Sequence, residues 1–217
     1  MVQGQEAMNR VKNPKIGIVD YSIGNVGSVY SAFKFYDYDV SLINTPDKLK
    51  SADMIVLAGV GNYPTAISKL KELHLWDAIN GLVTEKKKPL LGICLGMQLF
   101  ADVGYENGEN RAFGWISGKV VKMEGEGLRV PHIGWNEIEV RGAALFENSR
   151  YNFFYFMHSY HFIPHDKKVV IATTRYGDLE ICSAVSKDNI IGVQFHPEKS
   201  QSDGLRLLHK AVECLCK

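Results

Sequence analysis

A cysteine between two glycines is the residue of this chain best placed to act as a nucleophile. Residues 90–98 read Leu-Leu-Gly-Ile-Cys-Leu-Gly-Met-Gln, an apolar stretch typical of a buried strand, followed by residues that favour a helix. A Gly-x-Cys-x-Gly pattern at such a junction is typical of a nucleophile elbow, with a thiol in place of a hydroxyl. The glycines permit the tight turn, and the turn places Cys94 at a helix N-terminus, whose dipole favours a thiolate. The sequence therefore predicts an activated cysteine rather than one that fills the core.

A general base for this thiol is predicted at the end of another apolar strand. Residues 190–195 read Ile-Ile-Gly-Val-Gln-Phe and are followed by His196-Pro197-Glu198. Alternate residues of an extended chain point to one side, and Pro197 biases His196 towards extended geometry. His196 could take the thiol proton and later give it to a leaving amine, while Glu198 orients the ring. Because the C-terminal ends of parallel strands converge on one crevice, Cys94, His196 and Glu198 are predicted to form a triad.

Backbone amides near the strand ends are needed to hold the oxyanion that thiolate attack creates. The N–H of Leu95, directly after the nucleophile, is the expected first donor. Residues 53–58 predict a further strand, and the turn Gly59-Val60-Gly61 that follows is able to present amides. We therefore expect this turn to contribute a second donor to the same crevice.

The composition of the chain sets limits on its class. With 217 residues, of which 46% are hydrophobic and 23% charged, the sequence suits one soluble α/β domain with a sizeable core. The net charge of +1 argues against a nucleic-acid-binding surface, and no apolar run approaches the roughly 20 residues that span a bilayer. We therefore predict a protein that binds neither nucleic acid nor membranes.

The N-terminal residues and the cysteines indicate the cellular setting. Residues 1–14 are polar and lack the apolar core of a signal peptide, which predicts a flexible extension ahead of a single domain over residues 15–217. The four cysteines have no disulfide or zinc spacing; they are Cys94, Cys182, Cys214 and Cys216. The predicted location is the reducing cytoplasm, which would keep a thiolate nucleophile reduced.

Strands and helices alternate in the first half of the chain. Apolar patterning predicts strands at residues 15–19, 39–43, 54–58 and 90–94, and helices at about 25–36, 64–73, 75–85 and 95–103. The resulting order, βαββαβα, predicts a doubly wound and largely parallel sheet with helices on both faces.

The second half of the chain is rich in strands. Short strands are predicted at residues 119–123, 137–140, 152–160, 169–174, 182–186 and 190–195, before a final helix at 202–216. Their close spacing favours an antiparallel extension that covers one side of the site. The predicted fold class is therefore α/β: a three-layer, doubly wound, mostly parallel sheet with an antiparallel extension.

These motifs together resemble those of the class I glutamine amidotransferases, which hydrolyse glutamine and pass ammonia to a synthase. The Gly-Ile-Cys-Leu-Gly-Met-Gln and His-Pro-Glu motifs are typical of the whole class. Further segments are similar to one family within it, the glutaminase subunits of imidazole glycerol phosphate synthase in histidine biosynthesis. These segments are Asp20-Tyr-Ser-Ile-Gly-Asn25, Gly59-Val-Gly61, Pro131-His-Ile-Gly-Trp-Asn136, Tyr155-Phe-Met-His-Ser-Tyr160 and His196-Pro-Glu-Lys-Ser200. The resemblance covers essentially everything after Pro14.

The resemblance implies a role for each motif residue. Cys94 would be the nucleophile, His196 the general base and acid, and Glu198 the residue that orients the imidazole. The amides of Val60 and Leu95 would bind the oxyanion. Gln98 and Glu106 would hold the α-amino and carboxylate ends of glutamine, helped by the backbone near Ser159 and Tyr160 and by Gly61.

The resemblance also implies a partner, a (β/α)₈-barrel cyclase subunit that receives the ammonia in a heterodimer, and it implies no metal or cofactor. The face that meets the partner would include Asn25, Trp135, Tyr155 and Lys199. From the residues alone, Trp135 could equally pack in the core, Asn25 could cap a helix and Lys199 could be a solvated charge. The turn at Val60 further suggests that its amide turns inward only when the partner binds, which would leave the isolated subunit nearly inactive.

Two departures from the family pattern keep other hypotheses open. Ala58 stands where the family usually has proline, and Ser22 stands where it usually has glycine. A paralogue that serves a different synthase, such as one that aminates a sugar-derived or nucleotide-derived ketone, would fit these changes. A partner-independent cysteine peptidase or γ-glutamyl hydrolase would share the triad but leave residues 131–136 unexplained. A binding module would keep the fold without the thiol chemistry.

Overall fold

An eight-stranded sheet forms the centre of the molecule. The structure is a computed structural model that describes residues 13–147 and 152–217. The strands are β1 (Lys15–Val19), β2 (Asp39–Ile43), β3 (Met54–Gly59), β4 (Leu90–Cys94), β5 (Val103–Gly104), β6 (Asn110–Arg111), β7 (Gly118–Lys122), β8 (His132–Glu137), β9 (Glu139–Val140), β10 (Phe153–His158), β11 (Tyr160–Pro164), β12 (Val170–Tyr176), β13 (Leu179–Lys187) and β14 (Ile190–Val193). The order in the central sheet is β2-β1-β3-β4-β14-β13-β12-β9.

Helices cover both faces of this sheet. They are α1 (Val26–Lys34), α2 (Pro46–Ser51), α3 (Tyr63–Glu72), α4 (Leu75–Thr84), α5 (Leu95–Gln98) and α6 (Gln201–Leu215). Alternate residues of β3 enter two different cores, because successive side chains of a strand point to opposite faces. Val56 and Ala58 share a core with α1 and α6, whereas Ile55 and Leu57 pack with α3 and α4. The predicted three-layer α/β fold is therefore confirmed.

The strands that lead to the two chemical motifs are direct neighbours. The five strands β2, β1, β3, β4 and β14 run parallel, and β13, β12 and β9 continue the sheet antiparallel. The last strand in the sequence, β14, inserts beside β4 and places Val193 opposite Ile93. The cysteine and the histidine motif therefore lie at the same edge of the sheet.

Besides β13, β12 and β9, the predicted extension includes two small sheets, one of β10 and β8 and one of β11, β7, β5 and β6. Pairing in these sheets is antiparallel except between β5 and β7, which run parallel. The prediction of one strand over residues 152–160 is wrong, because the chain bends at Ser159 and β11 pairs in the other sheet. Within the bend, the ring of His158 donates from Nδ1 to the Tyr160 carbonyl at 2.9 Å. The strand predicted at 137–140 is also wrong in extent, since β8 already begins at His132.

The helix after the cysteine is shorter than predicted. The sequence favours a helix to about residue 103, but α5 ends at Gln98. The carbonyls of Leu99, Phe100 and Ala101 instead accept hydrogen bonds from the backbone of residues 113–116. These carbonyls are satisfied by a crossing loop, so the helix stops after about one turn.

The N-terminal extension predicted over residues 1–14 lies almost wholly outside the described residues. The described part includes Asn13, whose amide donates to the Asp37 carbonyl. Among the residues described, none of the helices is both long and apolar enough to cross a bilayer.

Two glycines make the turn at Cys94 possible. Cys94 has φ +53° and ψ −109°, a backbone conformation that costs free energy in a side-chain-bearing residue. A Cβ at Gly96 would lie 1.7 Å from the Leu57 carbonyl oxygen, and one at Gly92 would lie 2.4 Å from Cζ of Phe100. The glycines therefore let the elbow pack directly against β3 and against the Phe100 ring.

The elbow should not tolerate a side chain at position 96. We expect Gly96→Ala to lower the free energy of unfolding by more than about 2 kcal/mol, because the clash is with backbone that cannot move aside. Gly81→Ala is the matched control: it lies inside α4 with open space around its Cα, and it should stabilise the protein by about 0.5–1 kcal/mol. Urea unfolding of both variants checks this, and equal stability of the two would contradict it.

Candidate active site

The histidine and glutamate of the second motif form a buried pair. Nδ1 of His196 lies 2.8 Å from Oε1 of Glu198, and both side chains are 2% exposed. Nε2 of His196 and Oε2 of Glu198 are buried without a hydrogen-bond partner. His196 therefore has one nitrogen fixed by the carboxylate and the other free for chemistry.

The charges around His196 favour its protonated form. Burial alone would lower the pKa of this imidazole, but the negative charges of the Cys94 sulfur and of Glu198 outweigh burial and raise the pKa well above its ordinary value. An imidazolium beside a thiolate is the ion pair from which a proton can be given to a leaving group.

The turn at residues 196–200 is tied to strand β10 by two hydrogen bonds and is held together by a third. The His196 N–H donates to the Tyr155 carbonyl at 2.8 Å, and the Tyr155 N–H donates to Oγ of Ser200 at 3.0 Å. The Ser200 hydroxyl in turn donates to the His196 carbonyl at 2.7 Å. These bonds fix the position of the imidazole relative to β10 and hence to the bend at Ser159.

A cavity of about 250 Å³ opens above the cysteine. The residues that line it are Val60, Gly61, Cys94, Leu95, Gln98, Glu106, Pro131, Met157, His158, Ser159 and Tyr160. All the residues for which oxyanion or glutamine binding was predicted thus gather in one place. Its volume lies below the roughly 300–1,000 Å³ of sites for drug-sized ligands, which suits a small metabolite.

The polar groups at one end of the cavity suit a cation. Gln98 donates from Nε2 to the Tyr160 carbonyl at 2.8 Å and to Oε1 of Gln194 at 3.0 Å. Both amide protons are used, so Oε1 of Gln98 is the atom left to accept. Oε2 of Glu106 accepts from the Tyr63 N–H at 2.6 Å, which fixes that carboxylate. An ammonium group matches this pair of acceptors.

Several residues of the site carried no predicted role. Pro131, Met157 and His158 lie within the segments quoted for the resemblance, but their types gave no chemical reason to select them. Gln194 and Tyr63 act through hydrogen bonds to Gln98 and Glu106, partners that are distant in sequence. Such contacts follow from the fold rather than from spacing. Among the residues that the structure describes, no three metal-ligating side chains are grouped to hold a metal ion.

Two buried histidines support the bend at Ser159. Because the Tyr160 carbonyl only accepts, Nδ1 of His158 must carry a proton, which leaves its Nε2 free to accept from Nδ1 of His132 at 3.1 Å. Nε2 of His132 then accepts from the Asn136 amide at 3.3 Å. Both rings are neutral in this chain of bonds, and burial lowers the pKa of His132 to about 4 and that of His158 to about 3.

Three of the residues predicted to face a partner form one surface. Trp135 and Tyr155 are cross-strand neighbours on β8 and β10, with ring centroids 6.2 Å apart. Nζ of Lys199 lies 5.9 Å from the Tyr155 ring centroid. Asn25 is placed differently: its side chain caps α1 by accepting from the Ser28 N–H, and α1 packs against the turn that carries Lys199.

Strands β8 and β10 have two apolar faces, of which one packs in the core and the other is exposed. Phe154 and Phe156 are buried in the core. On the opposite face Ile133, Trp135 and Phe153 are 57%, 47% and 46% exposed. We call Ile133, Trp135, Phe153 and Tyr155 the aromatic face. Large exposed apolar side chains grouped in this way are typical of a surface that binds another protein.

The two departures from the family pattern have local structural consequences. Ser22 has φ +64°, in the left-handed region that favours glycine, and its N–H donates to the Asp20 carboxylate. Ala58 is buried within β3 and pairs with Ile93 of β4. A proline at position 58 would lack the N–H that strands pair through, so alanine continues β3 as a regular strand up to Gly59.

The fold and the sequence both match known amidotransferases. A glutamine amidotransferase of known structure has the same fold, with a TM-score of 0.70 at 20% identity over 91% of this chain and 97% of that chain. The model of the class I glutamine amidotransferase family matches residues 18–213. The fold and the family match together define an enzyme of this class.

Similar proteins identify one family within this class. The imidazole glycerol phosphate synthase subunit HisH of Pelagibacter ubique is 44% identical over 201 residues, which is 89% of this chain and 96% of the relative. The subunit HisH 2 of Methanococcus maripaludis is 42% identical over 204 residues, 91% of this chain and 98% of the relative. The chain therefore belongs to the class I glutamine amidotransferases and, within them, to the HisH subunits of imidazole glycerol phosphate synthase.

The buried histidines should make the protein less stable in acid. Burial and the charge of Lys167 lower the pKa of His161 to about 4, and Nδ1 of His161 is buried without a partner. Between about pH 6 and pH 4.5 the unfolded chain therefore binds protons that the folded chain does not, so the free energy of unfolding falls as the pH falls. His161→Leu should reduce this fall.

Exposed His165 provides the matched control for this experiment. His165→Gln removes one histidine from the surface and is the reference against which the change in His161→Leu is compared. Guanidinium unfolding at about pH 6 and at about pH 4.5 measures the free energy of unfolding of each variant. An identical pH dependence in His161→Leu and in the parent protein would contradict the prediction.

Proposed function

We propose that this chain hydrolyses L-glutamine to glutamate and ammonia through Cys94, His196 and Glu198. It passes the ammonia to the cyclase subunit of imidazole glycerol phosphate synthase in histidine biosynthesis. The proposal rests on one observation above all: the buried His196–Glu198 pair follows the strand next to the one that ends in Cys94. We place the reaction in the cytoplasm, where the thiol stays reduced.

Glutamine would bind with its α-ammonium group at the acceptor end of the cavity. Oε1 of Gln98 and the Glu106 carboxylate are the acceptors there, and the negative charge of Glu106 complements the ammonium. The backbone at Ser159, Tyr160 and Gly61 would hold the α-carboxylate. The side-chain carboxamide then extends towards Cys94, which lines the same cavity.

The first chemical step would form a thioester. The Cys94 thiolate attacks the carboxamide carbon, and the oxyanion is held by the N–H groups of Leu95 and Val60. The C–N bond breaks as His196 gives its proton to the departing nitrogen, so ammonia leaves and a glutamyl thioester remains on the sulfur. Glu198 stabilises the protonated ring before this transfer.

The second step would release glutamate. Neutral His196 takes a proton from water, and the resulting hydroxide attacks the thioester carbon. The C–S bond breaks, the thiolate is restored beside a protonated imidazole, and the new carboxyl group gives its proton to solvent as glutamate leaves. The ammonia is kept from solvent, because free ammonia would be protonated in water, and travels through a channel at the interface with the cyclase, a (β/α)₈ barrel.

Binding of the partner could affect the oxyanion site through the turn at Val60, which contacts the segment that leads to Asn25. A Cβ at Gly24 would lie 3.2 Å from Cα of Gly59 and 3.5 Å from N of Val60, so the segment 20–25 rests on this turn. Asn25 ends that segment and caps α1. A partner bound at Asn25 would shift the Val60 amide into place, and the isolated subunit would therefore be nearly inactive.

Removal of the thiol should abolish the reaction. We expect Cys94→Ser to lower kcat for glutamate release by at least about 10³-fold, because a serine hydroxyl is far less ionised than a cysteine thiol. Cys214→Ser, on α6 and outside the cavity, is the matched control and should keep full activity. Glutamate release is measured with and without the cyclase subunit.

Each outcome of this assay distinguishes the proposal from its alternatives. Full activity in Cys94→Ser would contradict the proposed mechanism. Release of glutamate by the isolated chain at the rate of the complex would favour a partner-independent hydrolase. Stimulation by another synthase, and none by the histidine-pathway cyclase, would favour a paralogue.

We expect the aromatic face to bind the cyclase subunit. We expect Trp135→Ala to weaken binding of the cyclase subunit by at least about tenfold, since exposed aromatic side chains of this size are frequent binding hot spots. Phe35→Ala is the matched control: Phe35 is 67% exposed at the other end of α1 from Asn25 and should leave binding unchanged. Titration calorimetry measures both affinities, and equal losses in the two variants would rule out this surface.

A further inference from the structure

A second glutamine lies beside the reactive sulfur and has no part in the proposed triad. Gln194 follows β14, two residues before His196, and its side chain is fully buried. Its Nε2 lies 3.6 Å from Sγ of Cys94, and its Oε1 accepts from Nε2 of Gln98 at 3.0 Å. One carboxamide thus joins the nucleophile to a residue that faces the substrate.

The orientation of this carboxamide is fixed by a backbone carbonyl. The Tyr160 carbonyl can only accept, so the Gln98 atom at 2.8 Å from it must be the amide nitrogen. The second proton of that nitrogen points to Gln194, which must therefore present its oxygen there. The remaining end of Gln194, an N–H₂ group, necessarily faces the sulfur.

The Tyr160 carbonyl, which determines the orientation of the Gln98 and Gln194 amides, is fixed by a second hydrogen bond. It also accepts from Nδ1 of His158 at 2.9 Å. His158 in turn accepts from His132, and His132 accepts from Asn136. A flip of Gln194 would place two oxygens or two nitrogens in contact somewhere along this chain of bonds. The structure therefore allows only one orientation of the Gln194 amide.

We propose that Gln194 is a positioning residue for the reaction: its N–H stabilises the Cys94 thiolate, and its carbonyl holds Gln98 so that only the Gln98 oxygen faces the substrate ammonium. A donor beside an anionic sulfur strengthens as charge develops there. The inference deepens the proposed function, since it assigns a role within the same site. A buried glutamine kept only for packing would affect stability but not the ionisation of Cys94.

The test measures ionisation directly, without glutamine or partner. The rate of alkylation of Cys94 by iodoacetamide is followed against pH, with the Cys94 peptide quantified by mass spectrometry in the folded full chain. Gln194→Met removes the donor and the acceptor at similar volume. Gln194→Glu keeps an acceptor for Gln98 but, when ionised, has no N–H for the sulfur.

Gln194→Met should move the alkylation midpoint of Cys94 upward by about one to two pH units, the size expected for loss of a hydrogen bond to a charged group. Gln194→Glu should move it upward by at least as much, because an ionised carboxylate also repels the thiolate. The titratable groups around the sulfur are His196, His158, Glu198, Glu106, Tyr160 and Tyr21, and none is altered. Exposed Asn44→Asp is the control for an amide-to-carboxylate change, and the Cys214 peptide is the internal reference; neither should shift.

A steady-state assay separates the effect of Gln194 on the Cys94 thiolate from its effect on Gln98. Gln194→Met should raise KM for glutamine as well as lower kcat, because Gln98 loses its support, whereas Gln194→Glu should mainly lower kcat. Folded variants with an unchanged Cys94 midpoint would overturn the proposal, even if they lost stability. If the variants shift the midpoint but the parent protein does not hydrolyse glutamine even with its partner, the proposed function would be overturned and the role of Gln194 at the sulfur would stand.

Discussion

The parallel pairing of β4 with β14 is the constraint on which the rest of the site depends. Hydrogen bonds between these strands place Ile93 opposite Val193, so the chain leaves the sheet at the same edge in both motifs. Cys94 is the last residue of one strand, and His196 follows the other after two further residues. Segments almost a hundred residues apart in the sequence thereby reach one crevice, as expected where parallel strands end.

On one side of the sulfur, the buried polar groups from Gln194 to Asn136 satisfy one another in a single chain of hydrogen bonds. The Tyr160 carbonyl accepts from Gln98 and from His158, and these two bonds determine the orientation of every amide and imidazole connected to them. Such networks are stable only when each donor has an acceptor. The bend at Ser159 is therefore rigid where the substrate backbone would lie. Strand β10, which carries Phe153 and Tyr155 of the aromatic face, continues into the same bend and is hydrogen-bonded to the turn at His196 and Ser200.

The parallel half of the fold could be predicted from the sequence, because each strand there is a short apolar run between helices. The antiparallel half could be predicted only in outline. The bend at Ser159 depends on a bond from His158 to a carbonyl, and the early end of α5 depends on a loop that crosses it. Neither is visible as a period in the sequence. Helix α2, only six residues long, was also absent from the prediction.

Residues of the candidate site could be selected from the sequence where their types have few other uses. A cysteine between glycines at a strand end, and His-Pro-Glu after another strand, indicate chemistry by themselves. The positions of Glu106, Ser159 and Tyr160 required a resemblance, and the roles of Gln194, His132 and His158 required the fold. These residues work through neighbours distant in the chain, and their types alone do not distinguish them from other buried polar residues.

The central claim is that the sulfur of Cys94 becomes covalently bonded to the substrate. The most direct measurement is an acid quench of the complex during glutamine turnover, followed by mass spectrometry of the cysteine peptides. The account predicts a glutamyl thioester on Cys94 and none on Cys182, Cys214 or Cys216. Turnover of glutamine with no adduct on Cys94, under conditions that preserve a thioester standard, would contradict it.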